Sequence, residues 1–286
     1  MKWSNRRQSS NVEDRRGGIA RKAGIGGLGA VVVFIISILL GFNPMTMLTV
    51  VDTTVRVTGL NKQSGDYQPT AEEQQMAEFV AVVLADTEDV WNNIFAQNGK
   101  KYPEPKLVLF SGSITSACGM AQAAMGPFYC PADQKVYIDL SFYDDLKNRH
   151  NAPGDFAQAY VIAHEVGHHV QNLLGISDQV QRAKARVGEK AGNALSVRLE
   201  LQADCFAGLW ANHTEKSKHI LEKGDIAEAL NAASAIGDDR LQKQSQGYVN
   251  PDSFTHGSSK QRVKWFNTGL NKGTLSACNT FTTKTL

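Results

Sequence analysis

The sequence predicts a mainly helical α+β fold with a small sheet, behind one N-terminal transmembrane helix. Apolar residues recur at helical spacing in several segments, and two short runs alternate between apolar and polar residues as strands do. An uncharged stretch near the N-terminus precedes them all. The 286 residues are 42% hydrophobic and 20% charged, which is the composition of a folded protein rather than a disordered one.

Residues 1–23 form a basic tail that we expect to be disordered and cytoplasmic. Its seven basic residues outnumber its two acidic ones, so the tail carries a charge of +5 and the rest of the chain carries −3. The body therefore lacks the clustered positive charge that a nucleic-acid surface needs. No nucleic-acid partner is expected.

Residues 24–43 are the predicted transmembrane helix. The uncharged run from Gly24 to Phe42 would span about 28 Å as a helix, close to the hydrocarbon thickness of a bilayer. A cleaved signal peptide is the alternative, but its apolar core would be shorter, and no small-x-small cleavage site follows Phe42. The basic flank indicates a single-pass membrane protein with a cytoplasmic N-terminus, membrane lipid as a partner, and a periplasmic or extracellular domain.

The sequence contains four cysteines, which agrees with a domain outside the cytoplasm. An even number of cysteines in such a compartment permits disulfides. No pair has the close spacing of a thiolate zinc site. Three connectivities are possible, and we favour a local loop plus a bridge that fixes the C-terminus. Four free buried thiols are the alternative. The favoured pairs are Cys118–Cys130 and Cys205–Cys278.

The outer part of the chain begins with a predicted stalk, residues 44–70, followed by one domain, residues 71–286. Apolar residues at helical spacing predict a helix over Ala71–Gln97. Strands are predicted at 106–110 and 135–142. The small, Gly-rich segment between the strands is interpreted as an irregular loop held by a disulfide.

The stretch from Ala163 to Val170 carries the strongest chemical signal. His164 and His168 are four residues apart on a predicted helix, so both imidazoles leave one face and can reach one Zn²⁺. Glu165 lies beside the first ligand, where it can take a proton from a water molecule at the metal. This is the His-Glu-x-x-His pattern of zinc proteases, and the alternative is a helix whose histidines are merely hydrogen-bonded.

A third protein ligand is needed, and the helix predicted over 194–212 supplies a candidate. Glu200 and Asp204 are again four apart, so they share one face of a helix that is otherwise rich in apolar and small residues. Glu200 can bind the metal, and Asp204 can accept a hydrogen bond from the ring of His164. The alternative is a solvated acidic face.

His256 lies in a turn that leads into a helix predicted over 260–270. It could donate a hydrogen bond to the oxyanion of a tetrahedral intermediate. Equally, the turn could serve only to cap the helix through Ser258 or Ser259, with His256 incidental. The residues leave both readings open.

The chain resembles the bacterial putative neutral zinc metallopeptidase family, single-pass membrane proteins of the zincin kind. The resemblance covers nearly the whole chain, including Trp3 to Arg7, Asn11 to Arg16, His164 to Gln171, Glu200 to Gly208 and Thr255 to Phe266. It implies a zincin-like domain of the gluzincin type. His164, His168 and Glu200 would then bind one zinc ion per chain, and Glu165 would be the catalytic base.

Zinc proteases of this kind commonly pair a strand just before the active-site helix with the substrate backbone. By analogy alone, we expect residues 135–142 to do so. The function expected from sequence is a membrane-anchored zinc endopeptidase acting on peptides or proteins. The alternative is a membrane-tethered, non-enzymatic binding or scaffold domain with a structural zinc.

Overall fold

The computed structural model describes residues 1–17, 67–283 and 285–286. Within them the mainly helical α+β class with a small sheet is confirmed. The predicted transmembrane helix, residues 24–43, and most of the predicted stalk lie outside the described residues and stay predictions. No helix in the described part of the chain is both long enough and apolar enough to cross a membrane.

The strands are short and the helices dominate. The strands are β1 (Val12–Asp14), β2 (Lys106–Phe110), β3 (Ser113–Ser116), β4 (Gly119–Gln122), β5 (Phe128–Cys130) and β6 (Lys135–Asp139). The described α-helices are α1 (Ala71–Gln97), α2 (Ser141–Asn148), α3 (Asp155–Leu173), α4 (Ile176–Lys184), α5 (Glu189–Lys218), α6 (Asp225–Ala235), α7 (Asp238–Gln246) and α8 (Ser259–Lys272).

Helix α1 begins and ends where the sequence predicts. The Thr70 hydroxyl accepts a hydrogen bond from the Glu73 backbone N–H at 3.1 Å, and the Glu73 carboxylate accepts one from the Thr70 N–H at 2.8 Å. This reciprocal capping satisfies two backbone donors that a helix start would otherwise leave unpaired. The predicted apolar stripe is buried in the core, including Phe79, Val80, Val83, Leu84, Trp91 and Ile94.

The main sheet has the order β1-β2-β6-β5, with β2 parallel to both β1 and β6 and β5 antiparallel to β6. Residues 135–137 of β6 therefore have a neighbour on each side, and Ser141 already begins α2. The expectation that residues 135–142 as a whole pair with a substrate is therefore wrong. The strand also ends at Asp139. That carboxylate accepts hydrogen bonds from the N–H groups of Gly112 at 2.6 Å and Ser141 at 2.9 Å, and the chain turns there into α2.

The segment between β2 and β6 is more regular than the sequence indicates. It contains the hairpin of β3 and β4 as well as the outer strand β5. Disulfides join Cys118 to Cys130 and Cys205 to Cys278, which is the favoured pairing. The first fixes the hairpin to β5, and the second fixes the C-terminal segment to α5.

Residues 1–17 are not disordered, so that expectation is wrong. They run across the domain, contribute β1 to the sheet, and bury Met1 and Arg16. The positive charges that suggested a solvated tail instead pair with acidic side chains, as in the Arg6–Asp86 contact of 2.5 Å. A charge count along the sequence cannot reveal such long-range partners.

Glycines at three positions allow helices α3, α5 and α8 to pack closely against one another. A Cβ on Gly208 of α5 would lie 2.0 Å from the carbonyl oxygen of Phe266 in α8. A Cβ on Gly269 of α8 would lie 1.9 Å from the carbonyl oxygen of Cys205. A Cβ on Gly167 of α3 would lie 3.2 Å from the Cα of Ala203 in α5. The three helices can therefore cross with their backbones in contact.

The Gly208→Ala substitution should force α5 and α8 apart and destabilise the fold by about 1–3 kcal/mol, the usual cost of overpacking a core. The shift in the midpoint of urea denaturation of the purified chain measures this effect.

The matched control is Gly192→Ala in the same helix, where an added Cβ meets only the flexible side chain of Lys184, at 3.9 Å. That variant should be neutral or more stable by up to about 1 kcal/mol, because alanine favours helix. Equal midpoints for the two variants would contradict the close crossing.

Candidate metal centre

Helix α3 presents His164 and His168 on one face, one helical turn apart. It is largely buried, and its apolar residues pack in the core on the sides away from the histidines. The side chain of His164 is 8% exposed and that of His168 is 16% exposed. Both rings are therefore fixed by their surroundings while keeping an opening to solvent.

Helix α5 brings a carboxylate to the same point. The contact of Gly167 with Ala203 sets α3 directly against α5, which places Glu200 opposite the two histidines. Glu200 Oε2 lies 3.2 Å from Nε2 of His164 and 3.5 Å from Nε2 of His168. The two Nε2 atoms are 3.1 Å apart. The structure thus brings together the three residues that the sequence suggested as ligands.

The hydrogen bonds on the far side of each ring fix which nitrogen faces the centre. His164 Nδ1 lies 2.9 Å from Asp204 Oδ1. His168 Nδ1 lies 2.9 Å from Gln171 Oε1. Carboxylate and amide oxygens only accept hydrogen bonds, so each Nδ1 is the donor, and in the neutral ring each Nε2 offers a lone pair. The Nε2 lone pairs of His164 and His168 and a carboxylate oxygen of Glu200 therefore converge on one point.

Three acceptors at this separation need a cation between them. Tetrahedral zinc with bonds of about 2.0–2.1 Å places its ligands roughly 3.3 Å from one another, and the three observed separations lie close to that value. The nitrogen and oxygen donors also suit zinc. The residues present fit a zinc ion.

The electrostatic surroundings favour positive charge at this centre. Burial lowers the pKa of His164, but its hydrogen bonds to Asp204 and Glu200 raise it to about 9. Burial would raise the pKa of Glu200, yet the two imidazoles hold it well below its usual value. A proton and a metal ion thus compete for the centre, and metal affinity should fall in acid.

Asp204 is fixed by two residues that the sequence analysis missed. Arg262 donates to both carboxylate oxygens at 2.9 Å, and the Tyr160 hydroxyl donates to Oδ1 at 2.5 Å. Burial would raise the pKa of Asp204, but Arg262 and His164 hold it at about 2. Asp204 therefore stays charged and orients the ring of His164.

The residues that the sequence analysis missed differ in how clearly a sequence pattern indicates them. Tyr160 lies four residues before His164 on the same helix face, and Gln171 lies three residues after His168, so the helical period could have indicated both. Arg262 lies 58 positions from Asp204 and comes from α8, where no local pattern points to it.

His256 lines the same cleft as the three ligand candidates. Its Nδ1 lies 3.2 Å from Asp238 Oδ1, and its side chain is 52% exposed. The other oxygen of Asp238 accepts hydrogen bonds from the backbone N–H groups of Thr255, His256 and Gly257 at 2.7–3.0 Å. Ser258 caps α8, as the capping alternative predicted, and the oxyanion role of His256 stays a prediction. The turn therefore both caps the helix and holds His256 at the cleft.

Glu165 is buried at the edge of this cleft, which has a volume of about 630 Å³. Among the described residues its carboxylate makes no hydrogen bond, so nothing described there prevents it from accepting a proton. Tyr160 and Arg262 also line the cleft. A further part of its lining comes from the segment that contains β5, namely Met125, Gly126, Pro127, Phe128 and Tyr129.

His169 of α3 supports the segment that contains β5. Its Nε2 donates to the carbonyl oxygen of Pro103 at 2.7 Å, so its Nδ1 accepts from the Tyr129 hydroxyl at 3.0 Å. The ring is fully buried. It therefore fixes β5 relative to the helix that carries the ligand candidates.

The sequence matches proteins across nearly its full length. A family model described as "Putative neutral zinc metallopeptidase" matches residues 1–281. "Uncharacterized protein YpfJ" of Escherichia coli (strain K12) is 50% identical over 290 residues, which cover 98% of this chain and 99% of that protein. "Uncharacterized protein Rv2575" of Mycobacterium tuberculosis (strain ATCC 25618 / H37Rv) is 44% identical over 190 residues, 63% of each chain. No solved structure matches the chain.

The Asp204→Asn substitution should weaken zinc binding by about 10–100-fold, because a neutral amide makes His164 a poorer ligand. Competition against a chelating dye measures the affinity, and a thermal melt establishes that the variant is folded. The control is Asp144→Asn on the exposed face of α2, which should bind zinc as the unchanged protein does. Wild-type affinity in a folded Asp204→Asn variant would remove Asp204 from the metal centre.

Proposed function

The chain belongs to the putative neutral zinc metallopeptidase family, whose model spans residues 1–281, and we propose that it is a zinc-dependent endopeptidase. One observation carries the proposal. Two imidazole nitrogens and a carboxylate oxygen converge within 3.5 Å beside Glu165, at the end of an open cleft. His164, His168 and Glu200 would hold one zinc ion per chain.

A zinc ion held there supplies Lewis acidity, which polarises a peptide carbonyl and makes water nucleophilic near neutral pH. Glu165 acts as the general base. Its carboxylate takes a proton from the attacking water and returns it to the leaving amine. Asp204 and Gln171 keep the two imidazoles in the orientation and tautomer that leave their Nε2 atoms free for the metal.

His256 stabilises the oxyanion of the tetrahedral intermediate by donating a hydrogen bond. The Asp238 carboxylate beside it raises the pKa of His256, and Glu200 acts in the same direction while Arg262 opposes it. His256 is therefore protonated to higher pH than an ordinary histidine. Its exposed position in the cleft leaves room for a substrate carbonyl.

The substrate would lie along the wall that β5 forms. Strand β5 is the last strand of the main sheet on the cleft side, and Phe128 and Tyr129 line the cleft. An extended peptide could add to its outer edge, with main-chain hydrogen bonds giving affinity. This role replaces the one that the sequence analysis gave to residues 135–142.

A purely structural zinc would have no use for the cleft or for Glu165. Structural zinc sites are closed by four protein ligands, whereas the described residues supply three here, and all three line the cleft. These features favour the enzyme over the scaffold alternative. We further propose that the protein attaches to the membrane through residues 24–43, and that its domain faces an oxidising compartment, where the two disulfides persist.

The Glu165→Gln substitution should leave zinc content unchanged and reduce peptide hydrolysis by about 10²–10⁴-fold, the usual contribution of a general base. Cleavage of a mixed peptide library, with and without a chelator, gives the activity, and elemental analysis gives the zinc content. The exposed Glu72→Gln variant serves as the control. Full turnover by Glu165→Gln would exclude Glu165 as the base.

The Asp238→Asn substitution should move the alkaline limb of the pH profile to lower pH. Because Asp238 raises the pKa of His256, its loss lets the ring deprotonate earlier as pH rises, and the oxyanion then loses its donor. The control is Asp239→Asn, whose carboxylate contacts Ser259 instead, and which should shift the limb less. An unchanged limb in Asp238→Asn would show that protonated His256 is not required.

A further inference from the structure

Residues 1–17 cross the domain from one end to the other. The amino group of Met1 lies 2.6 Å from Asp155 at the start of α3, and the Lys2 N–H donates to the carbonyl oxygen of Ile220. The Ser9 N–H donates to the carbonyl oxygen of Ala81 in α1. The segment thus contacts the domain repeatedly before it reaches β1.

Two buried carboxylates of α1 depend on this segment. Asp86 is paired with Arg6 at 2.5 Å and with Lys218 at 2.8 Å. The hydrogen bonds described for the Glu88 carboxylate all come from residues 7–11, namely Arg7, Ser9 and Asn11. Its side chain is 3% exposed. Undocking of the segment would remove every hydrogen-bond partner described for the Glu88 carboxylate.

The sheet depends on the segment as well. Strand β1 pairs with β2 in parallel, with Val12 opposite Leu107 and Asp14 opposite Leu109. Trp3 packs edge-on against Phe79 of α1, with ring centroids 5.5 Å apart. Residues 1–17 are therefore an integral part of the domain rather than an appendage.

Gly17 and Tyr67, the described residues on either side of residues 18–66, touch each other. A Cβ on Gly17 would lie 2.9 Å from the Cβ of Tyr67, and the Arg16 guanidinium lies 5.8 Å from the centre of the Tyr67 ring. Both ends of the connection, residues 18–66, thus start from one place on the domain surface.

We propose that residues 1–17 and residues 67–286 lie on the same side of the cell membrane, with the N-terminal segment docked on the domain. This placement conflicts with the single-pass topology predicted from the sequence, which puts the N-terminal tail and the domain on opposite sides of the membrane. A single crossing would pull β1 from the sheet and leave Glu88 unpaired. The arginines of the segment are held in ion pairs in this docked arrangement, Arg6 and Arg7 with carboxylates of α1 and Arg15 and Arg16 with Glu13 and Asp14.

Labelling of introduced cysteines in intact cells tests the shared side directly. The full chain carries either Ser10→Cys in the N-terminal segment or Lys100→Cys in the domain, both at exposed positions. The native cysteines are all in disulfides, so the unsubstituted chain measures the background. A membrane-impermeant maleimide should give the same result for both variants. It should either label both in intact cells or label both only after the cells are permeabilised. Labelling of one variant without the other overturns the proposal.

A cross-link tests the docked arrangement. Mild oxidation of membranes carrying Gly17→Cys with Tyr67→Cys should form a disulfide, since the Cβ atoms need to move apart by only about 1 Å to reach disulfide geometry. Tryptic peptides containing the two positions should then stay joined until reduction. Failure to join them would overturn the docking, and this readout does not depend on peptidase activity.

Ser10→Cys with Tyr67→Cys is the matched control pair. Ser9 lies beside Ala81, whereas Tyr67 contacts Glu73, and these two positions on α1 are about 12 Å apart along the helix axis. This pair should not cross-link. Equal cross-linking of both pairs would mean that the segment is undocked and mobile, which also overturns the proposal.

Discussion

Three electron-pair donors that converge on one point define the functional centre of this domain. In the neutral rings, Nε2 of His164 and Nε2 of His168 face each other at 3.1 Å, and Glu200 closes the triangle. Such an arrangement is unfavourable unless a cation occupies it, so the surrounding structure has to hold it in place. Direct backbone contact of α3 with α5 at Gly167 and of α5 with α8 at Gly208 provides that rigidity.

Much of the fold and the centre of the site could be predicted from the sequence, because the signals are local. Helical periodicity gave the bounds of α1, and the four-residue spacing within α3 and within α5 indicated the ligand candidates and Asp204. What could not be predicted depends on contacts between distant residues. Arg262 reaches Asp204 from α8, and Asp238 reaches His256 from α7. Strand β5, within a segment read as a loop, gains its regularity from pairing with β6.

The N-terminal segment illustrates the same limit most clearly. Its composition is that of a solvated basic tail, yet Arg6 and Arg7 pair with carboxylates about 80 positions away. Its three-residue strand forms only because β2 is there to pair with it. The domain that carries the metal centre is therefore completed by residues that precede the predicted membrane segment. In the proposed topology, the metal centre lies on the same side of the membrane as residues 1–17.

The central claim is that one zinc ion is held jointly by two helices, and metal analysis of the purified full chain tests it most directly. The account predicts about one zinc ion per chain for the unchanged protein and a clear loss of bound zinc for Glu200→Ala, whose ligand comes from α5. A chain that binds no transition metal after incubation with zinc, or a Glu200→Ala variant with unchanged zinc content, would contradict it.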